Sequence, residues 1–218
     1  MELISVAGAC SRSGKTTLAV TLLRALPAGG VAVKFTTTDD VFERCPRGTP
    51  CVVCGIDVPY RIIEDPRVSS EAGTDTARLA EAGATRVLWT IAKQSAIVEA
   101  WAAVQARLAR ESVVVMEGST IVDLSRPDLV LFVAHPFLCP SRWKPTTARL
   151  LQRADTVIVN LPAAERRAPS PAVTAEIERH RGHRGFRRAD VTRPLADWAP
   201  DLTVRLSALG GGAERAPA

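Results

Sequence analysis

The chain has 218 residues, 46% of them apolar and 23% charged, with a net charge of +5, which is enough for one well-buried core and short for two. Only four of its 28 basic residues are lysine, so the positive balance reflects an arginine-rich composition and gives little ground for a nucleic-acid partner. The longest apolar run, Leu129 to Ala134, is far too short for a bilayer span, and no leader pattern precedes the first apolar run, so a soluble cytoplasmic protein is expected, with no membrane partner.

The chain opens with an apolar run, Leu3 to Ala7, which reads as a strand. Cys10-Ser11-Arg12-Ser13-Gly14-Lys15-Thr16-Thr17 follows, and then an amphipathic stretch to Leu26 carrying Leu18, Leu22 and Leu23. Strand, small-residue loop and helix in this order form a phosphate-binding arrangement. Backbone N–H groups of Ser11, Arg12, Ser13, Gly14 and Thr17 would wrap a polyphosphate, Lys15 would add charge at the β/γ oxygens, and the Thr16 hydroxyl would hold Mg²⁺. The pattern G-x-x-x-x-G-K-[ST] has Ala9 where its first glycine belongs, and Gly8 is expected to supply the turn out of the strand.

The second strand is expected over Val31 to Phe35. Beyond it, Asp39 and Asp40 are candidates to orient water or join the Mg²⁺ shell, or equally to cap a turn. Lys34 is a rare lysine and a candidate for phosphate, with a packed or solvated strand lysine as the alternative. Cys45, Cys51 and Cys54 then fall within eleven residues in a C-x₅-C-x₂-C-G pattern. Five cysteines in a reducing compartment favour metal or redox chemistry over disulfides. Three thiols leave a fourth position to Cys10, Cys139, a histidine or a partner, and thiolates suit either Zn²⁺ or an iron–sulfur cluster.

Further on, Asp75 to Ala82, Ser95 to Arg110 and Thr146 to Arg153 read as helices, and Arg86 to Ile91, Val113 to Met116, Leu129 to Ala134 and Thr156 to Val159 as strands. Alternating strands and helices, with strands apolar on both faces, predict an α/β doubly wound, mostly parallel sheet: a three-layer, Rossmann-like phosphate-loop NTPase. Ligands in such folds lie beyond the carboxyl ends of the strands. That rule selects Glu117 for Mg²⁺ or its water, Gly118 for an amide approaching the γ-phosphate, and Asn160 for the base. Cys139 is expected to be a buried structural thiol.

The nucleotide-binding domain is expected over 1–162, with the cysteine-rich insertion at about 45–55. Residues 163–209 read as a basic extension of the same domain and 210–218 as a disordered tail. Pro162 to Pro171 reads as a connector, and Arg179 to Arg188 as a solvated arginine-rich surface with two exposed loop histidines, His180 and His183. Only Phe186 interrupts that patch, so base stacking has little support.

The loop Ser13 to Leu18, Lys34, Gly73-Thr74-Asp75-Thr76-Ala77-Arg78 with Glu81-Ala82-Gly83-Ala84, and Glu117-Gly118 occur in the order found in MobB-like proteins, the molybdopterin-guanine dinucleotide biosynthesis adaptors. The chain resembles that family over about its first 160 residues. The resemblance implies a GTP-binding, Mg²⁺-dependent homodimer of the MinD-like branch of phosphate-loop NTPases, assisting molybdenum cofactor maturation with a partner protein. It also implies that Gly14, Lys15 and Thr16 bind phosphate and Mg²⁺, and that Glu117 and Gly118 face the γ-phosphate.

The leading expectation is therefore a slow GTP or ATP hydrolase that assists maturation or delivery of a metal-containing cofactor, with Lys15, Asp39, Asp40 and Glu117 as catalytic candidates. An ATP-dependent ligase or kinase for a small acid, resembling dethiobiotin synthetase, is the alternative. A metal- or redox-sensing nucleotide-binding module is a third possibility.

Overall fold

The computed structural model describes residues 1–38 and 56–209. Each expected strand is present: β1 (Glu2–Gly8), β2 (Gly30–Thr38), β4 (Ala84–Lys93), β5 (Val113–Glu117), β6 (Leu129–Ala134) and β7 (Thr156–Asn160), with β3 (Tyr60–Ile63) and β8 (Arg187–Ala189) added at the edges. Strand β2 outruns its apolar stretch because Thr36 to Thr38 continue the ladder against Ile91 to Lys93. β-Branched threonines suit a pleated strand as well as valines do.

The strands form one sheet in the order β3-β4-β2-β5-β1-β6-β7-β8, parallel except for the antiparallel β3. The helices between strands are α1 (Lys15–Ala25), α2 (Pro66–Ser69), α3 (Asp75–Glu81), α4 (Ile97–Leu108), α5 (Val122–Ser125), α6 (Thr147–Arg153) and α7 (Pro171–Arg181), and α8 (Leu195–Trp198) and α9 (Pro200–Leu209) follow the last strand. The expected helix from Ser95 is shorter at both ends, since Gln94–Ala96 is a 3₁₀ turn and α4 stops at Leu108. Its buried Ile97, Ala100, Trp101, Val104 and Leu108 keep one helical face on the sheet.

Side chains that alternate along each strand divide the core into two layers. Ile4, Val6, Val115, Leu131 and Val133 pack under Leu18, Leu22 and Leu23 of α1, Leu79 of α3, and Leu202 and Leu206 of α9. Their neighbours point to the opposite face. There Val33, Leu88, Val114 and Met116 meet Trp101 and Val104 of α4, while Val130, Phe132, Val157 and Val159 meet Leu150 and Leu151 of α6 and Val173 and Ile177 of α7. A three-layer α/β architecture results. Among the described residues no helix is long and apolar enough to cross a membrane.

The region after Asn160 is more ordered than its composition suggests. Pro171, expected in the connector, is the first residue of α7, where its missing N–H costs nothing. His180 is not a loop residue: it lies on α7 with its imidazole 3.1 Å from Glu176. Nor is the arginine-rich stretch wholly solvated. Arg181 is buried, and its guanidinium donates to the carbonyls of Leu151, Ala154, Asp155 and Gly185. Residues 210–218 lie outside the described residues.

Candidate active site

Strand β1 ends at Gly8, and the chain turns through residues 9–14 into α1 at the carboxyl edge of the sheet. Gly14 caps α1 with φ +105°, and Arg12 also has a positive φ of 59°. Gly14 is required on two counts, because a Cβ there would lie 2.6 Å from Asn160 Nδ2. Gly8 is the last residue of β1 and is not among the glycines with positive φ; what it gives here is room. A Cβ on it would meet Ser13 Oγ at 2.5 Å, the Val133 carbonyl at 2.8 Å and Lys15 Cγ at 2.9 Å.

Among the described residues, nothing accepts a hydrogen bond from the N–H groups of Ser11 to Thr16. The Ser13 hydroxyl is buried and likewise unpartnered. Ser13 and Thr16 are buried, and the first N–H groups of a helix have no intrahelical acceptor, so these donors gather unpartnered in one loop at the amino end of α1. Lys15 joins them with its Nζ 2.6 Å from the Cys10 carbonyl. Burial, reinforced by the nearby Lys144 and Lys34 ammonium groups and partly offset by Glu117, pushes the Lys15 pKa down to about 8.

Glu117 ends β5 and is only 2% exposed. Both its oxygens are engaged: Thr16 Oγ1 donates to one at 2.9 Å, and Lys34 Nζ lies 2.6 Å from the other. Lys34 also pairs with Asp75 Oδ2 at 2.7 Å, at the start of α3. Burial alone would lower the Lys34 pKa, but the two carboxylates outweigh it and hold it above its ordinary value. Asp75 is correspondingly lowered: its own burial opposes the shift and the Lys34 ammonium prevails. Lys34 is packed against the site's buried carboxylate.

Gly118 and Asn160 both make hydrogen bonds within the chain at this edge. The Gly118 N–H goes to the Val6 carbonyl at 3.2 Å. Asn160 Nδ2 donates to the Ser13 carbonyl, and its Oδ1 accepts from the Val191 N–H, both at 3.4 Å. Asn160 thus ties the loop to the segment after β8. Cys10 is buried, and burial raises its thiol pKa against the pull of Lys15, Lys144 and Arg142, which keeps it a neutral thiol. Cys139 corrects another expectation, since it is exposed and its sulfur accepts from Ser141 Oγ at 3.2 Å. Asp39, Asp40, Cys45, Cys51 and Cys54 lie outside the described residues. Among the described residues, no group of three metal-binding His, Cys, Asp or Glu side chains gathers.

Two residues at the site, Ser119 and Lys144, escaped the motif, and a third, Arg78, entered only through the family resemblance. Ser119 Oγ accepts from the Gly8 N–H at 3.0 Å and donates to its carbonyl at 3.1 Å, locking the ends of β5 and β1 together. Arg78 Nη2 reaches Thr17 Oγ1 at 2.9 Å. Lys144 donates its backbone N–H to the Ala9 carbonyl at 2.9 Å. Three of the four lysines in the chain meet here, so the scarcity that singled out Lys34 was a signal for Lys144 as well. No protein-family model, curated protein or solved structure matches the chain.

Proposed function

We propose that the chain binds a nucleoside triphosphate, GTP or ATP, at residues 9–17 and slowly hydrolyses its terminal phosphate. The observation that carries this reading is the half-buried Lys15 ammonium beside a row of unpartnered amides and the orphaned Ser13 hydroxyl. Donors without acceptors and cations with depressed pKa values are both relieved by one kind of ligand, a compact polyanion.

The donor set fits Mg²⁺. The Thr16 hydroxyl and the Glu117 carboxylate are hard oxygen ligands 2.9 Å apart, and an ion that retains most of its waters needs few protein ligands. Held by Thr16 and Glu117, Mg²⁺ would neutralise charge on the phosphate oxygens. The chain's own residues do the rest: the loop amides and Lys15 orient the phosphates, and Glu117, anchored by Lys34, holds its carboxylate at the terminal end. Phosphoryl transfer asks for positioning and charge neutralisation more than for covalent help.

The client is proposed on the MobB-like resemblance: maturation or delivery of a metal-containing cofactor, by a homodimer working with a biosynthetic partner. A second reading, an ATP-dependent ligase or kinase for a small acid, is favoured by Lys34, a second ammonium beside the catalytic carboxylate. Binding of fluorescent GTP and ATP, followed by phosphate release with Mg²⁺, tests the first reading. The parent should bind and turn over slowly, and Lys15→Ala should bind at least tenfold more weakly; a parent that binds neither nucleotide refutes it. Turnover that rises sharply with a small carboxylic acid would select the second reading.

A further inference from the structure

We propose that Lys144, on the segment between β6 and α6, reaches over the start of the loop in the same chain and binds the terminal phosphate of the nucleotide. This deepens the nucleotide-binding reading and rests on it.

The backbone of Lys144 is fixed from three sides. Its N–H is held by the Ala9 carbonyl at 2.9 Å, its carbonyl accepts from the Thr147 N–H at 2.9 Å, and the adjacent Trp143 indole donates to the Leu138 carbonyl at 3.1 Å. Trp143 also packs against the core beneath α6 and α7. The side chain contrasts with this anchored backbone: it is exposed, and among the described residues its Nζ has no hydrogen-bond or ion-pair partner. A lysine on a fixed backbone with an unengaged ammonium at a site edge is poised to meet a ligand.

Charge says which end of the ligand it meets. Although Lys144 follows β6, on the side of β1 away from β5, its ammonium lies in the electrostatic field of Cys10, Lys34 and Glu117. Its backbone is tied to Ala9, beside the Cys10 carbonyl that holds the Lys15 ammonium, so Lys144 stands at the same end of the loop as Lys15, the terminal-phosphate end. Three ammonium groups, on Lys15, Lys34 and Lys144, stand there against two carboxylates, the buried Glu117 and the exposed Asp75. Burial lowers the proton affinity of Lys15, and the Lys144 ammonium lowers it further. A triphosphate supplies the missing negative charge, whereas a diphosphate stops short of Lys144. In hydrolysis, water forms a bond to the terminal phosphorus as the bond to the bridging oxygen breaks. The electron pair stays on the bridging oxygen of the nucleoside diphosphate, and both protons of the water leave on the phosphate product, which can release one to solvent; Lys144 neutralises charge on the departing phosphoryl oxygens.

The test is calorimetric binding of the β,γ-imido triphosphates and the diphosphates of guanosine and adenosine, with Mg²⁺, to the parent, Lys144→Ala and Lys144→Arg. Lys144→Ala should lose on the order of tenfold in triphosphate affinity, the scale of one charged hydrogen bond. Its diphosphate affinity should stay within about twofold, which also shows that the variant is folded. Lys144→Arg should keep part of the preference. Equal losses for both ligands, or no loss for either, overturn the assignment while leaving the nucleotide-binding reading intact. A parent that binds neither ligand overturns both.

Discussion

Lys34 and Glu117 are register partners on the neighbouring strands β2 and β5, and their side chains meet with Nζ 2.6 Å from Oε1 at the carboxyl edge of the sheet. Because Glu117 is almost fully buried and Lys34 is 18% exposed at its side chain, each needs the other. Lys34→Ala should destabilise the fold by about 2–4 kcal/mol, since a buried carboxylate left without its cation carries most of its desolvation cost. Adding Glu117→Gln should recover part of that loss. Urea denaturation of the four species in a double-mutant cycle measures the coupling, and a value near zero would mean that the pair is not formed in solution.

The depressed pKa of Lys15 predicts how binding depends on pH. In the free protein the group loses its proton through about pH 8, below the ordinary lysine value of 10.5, because burial and the Lys144 and Lys34 charges disfavour the ammonium. A bound polyphosphate favours the ammonium and raises that pKa. Affinity should therefore hold below about pH 8 and weaken above it, with a proton taken up on binding near pH 8. Calorimetry in EDTA, in two buffers of different ionisation enthalpy, reads the uptake directly, and Lys15→Met should abolish it. Fold stability shows the linked effect. From about pH 8 to 10.5 the unfolded chain carries more protons at this position than the folded one, so the Lys15 contribution to stability rises with pH across that window.

Asn160 faces the loop, with one amide atom on Ser13 and the other on Val191. On the nucleotide-binding proposal, Asn160→Ala should loosen the loop of residues 9–14 without changing base preference. GTP and ATP affinities should fall together, by about 1 kcal/mol for two long hydrogen bonds, and their ratio should stay constant. A change in the ratio on parallel titration would restore the expected base contact.

How much of this was legible in the sequence depends on whether a feature is local. The strand, loop and helix around Lys15 are contiguous, and the residue pattern gives them away. Leu129–Ala134 of β6 and residues 113–116 of β5 are unbroken apolar runs, and β1 is interrupted only by Ser5, because these strands are buried on both faces. Edge strands lack that signal: β8 is Arg187-Arg188-Ala189 and β3 carries Tyr60 and Arg61, so neither reads as a strand until its partner is known. The Lys34–Glu117 and Lys144–Ala9 contacts depend on which strands lie side by side. Sequence order does not reveal that β2 and β6 flank the β5–β1 pair. Arg181 was hidden by its exposed neighbours, since composition averages over a stretch in which one guanidinium turns inward.

That inward turn makes Arg181 the structural member of the basic segment. Helix α6 ends at Arg153, and a helix end leaves carbonyls without intrahelical partners. The Arg181 guanidinium takes the carbonyls of Leu151 and Asp155 at 3.3 Å and that of Ala154 besides, binding the end of α7 to the end of α6. A cation at a helix carboxyl end also complements the helix dipole. Arg181→Ala should cost about 2–4 kcal/mol in urea denaturation, as several buried acceptors lose their donor at once. Arg181→Lys should fall between, because one ammonium cannot span the same set of carbonyls. Arg188→Ala, on the exposed side of β8, should shift stability by no more than about 0.5 kcal/mol. Equal small effects at Arg181 and Arg188 would return the whole segment to a solvated surface.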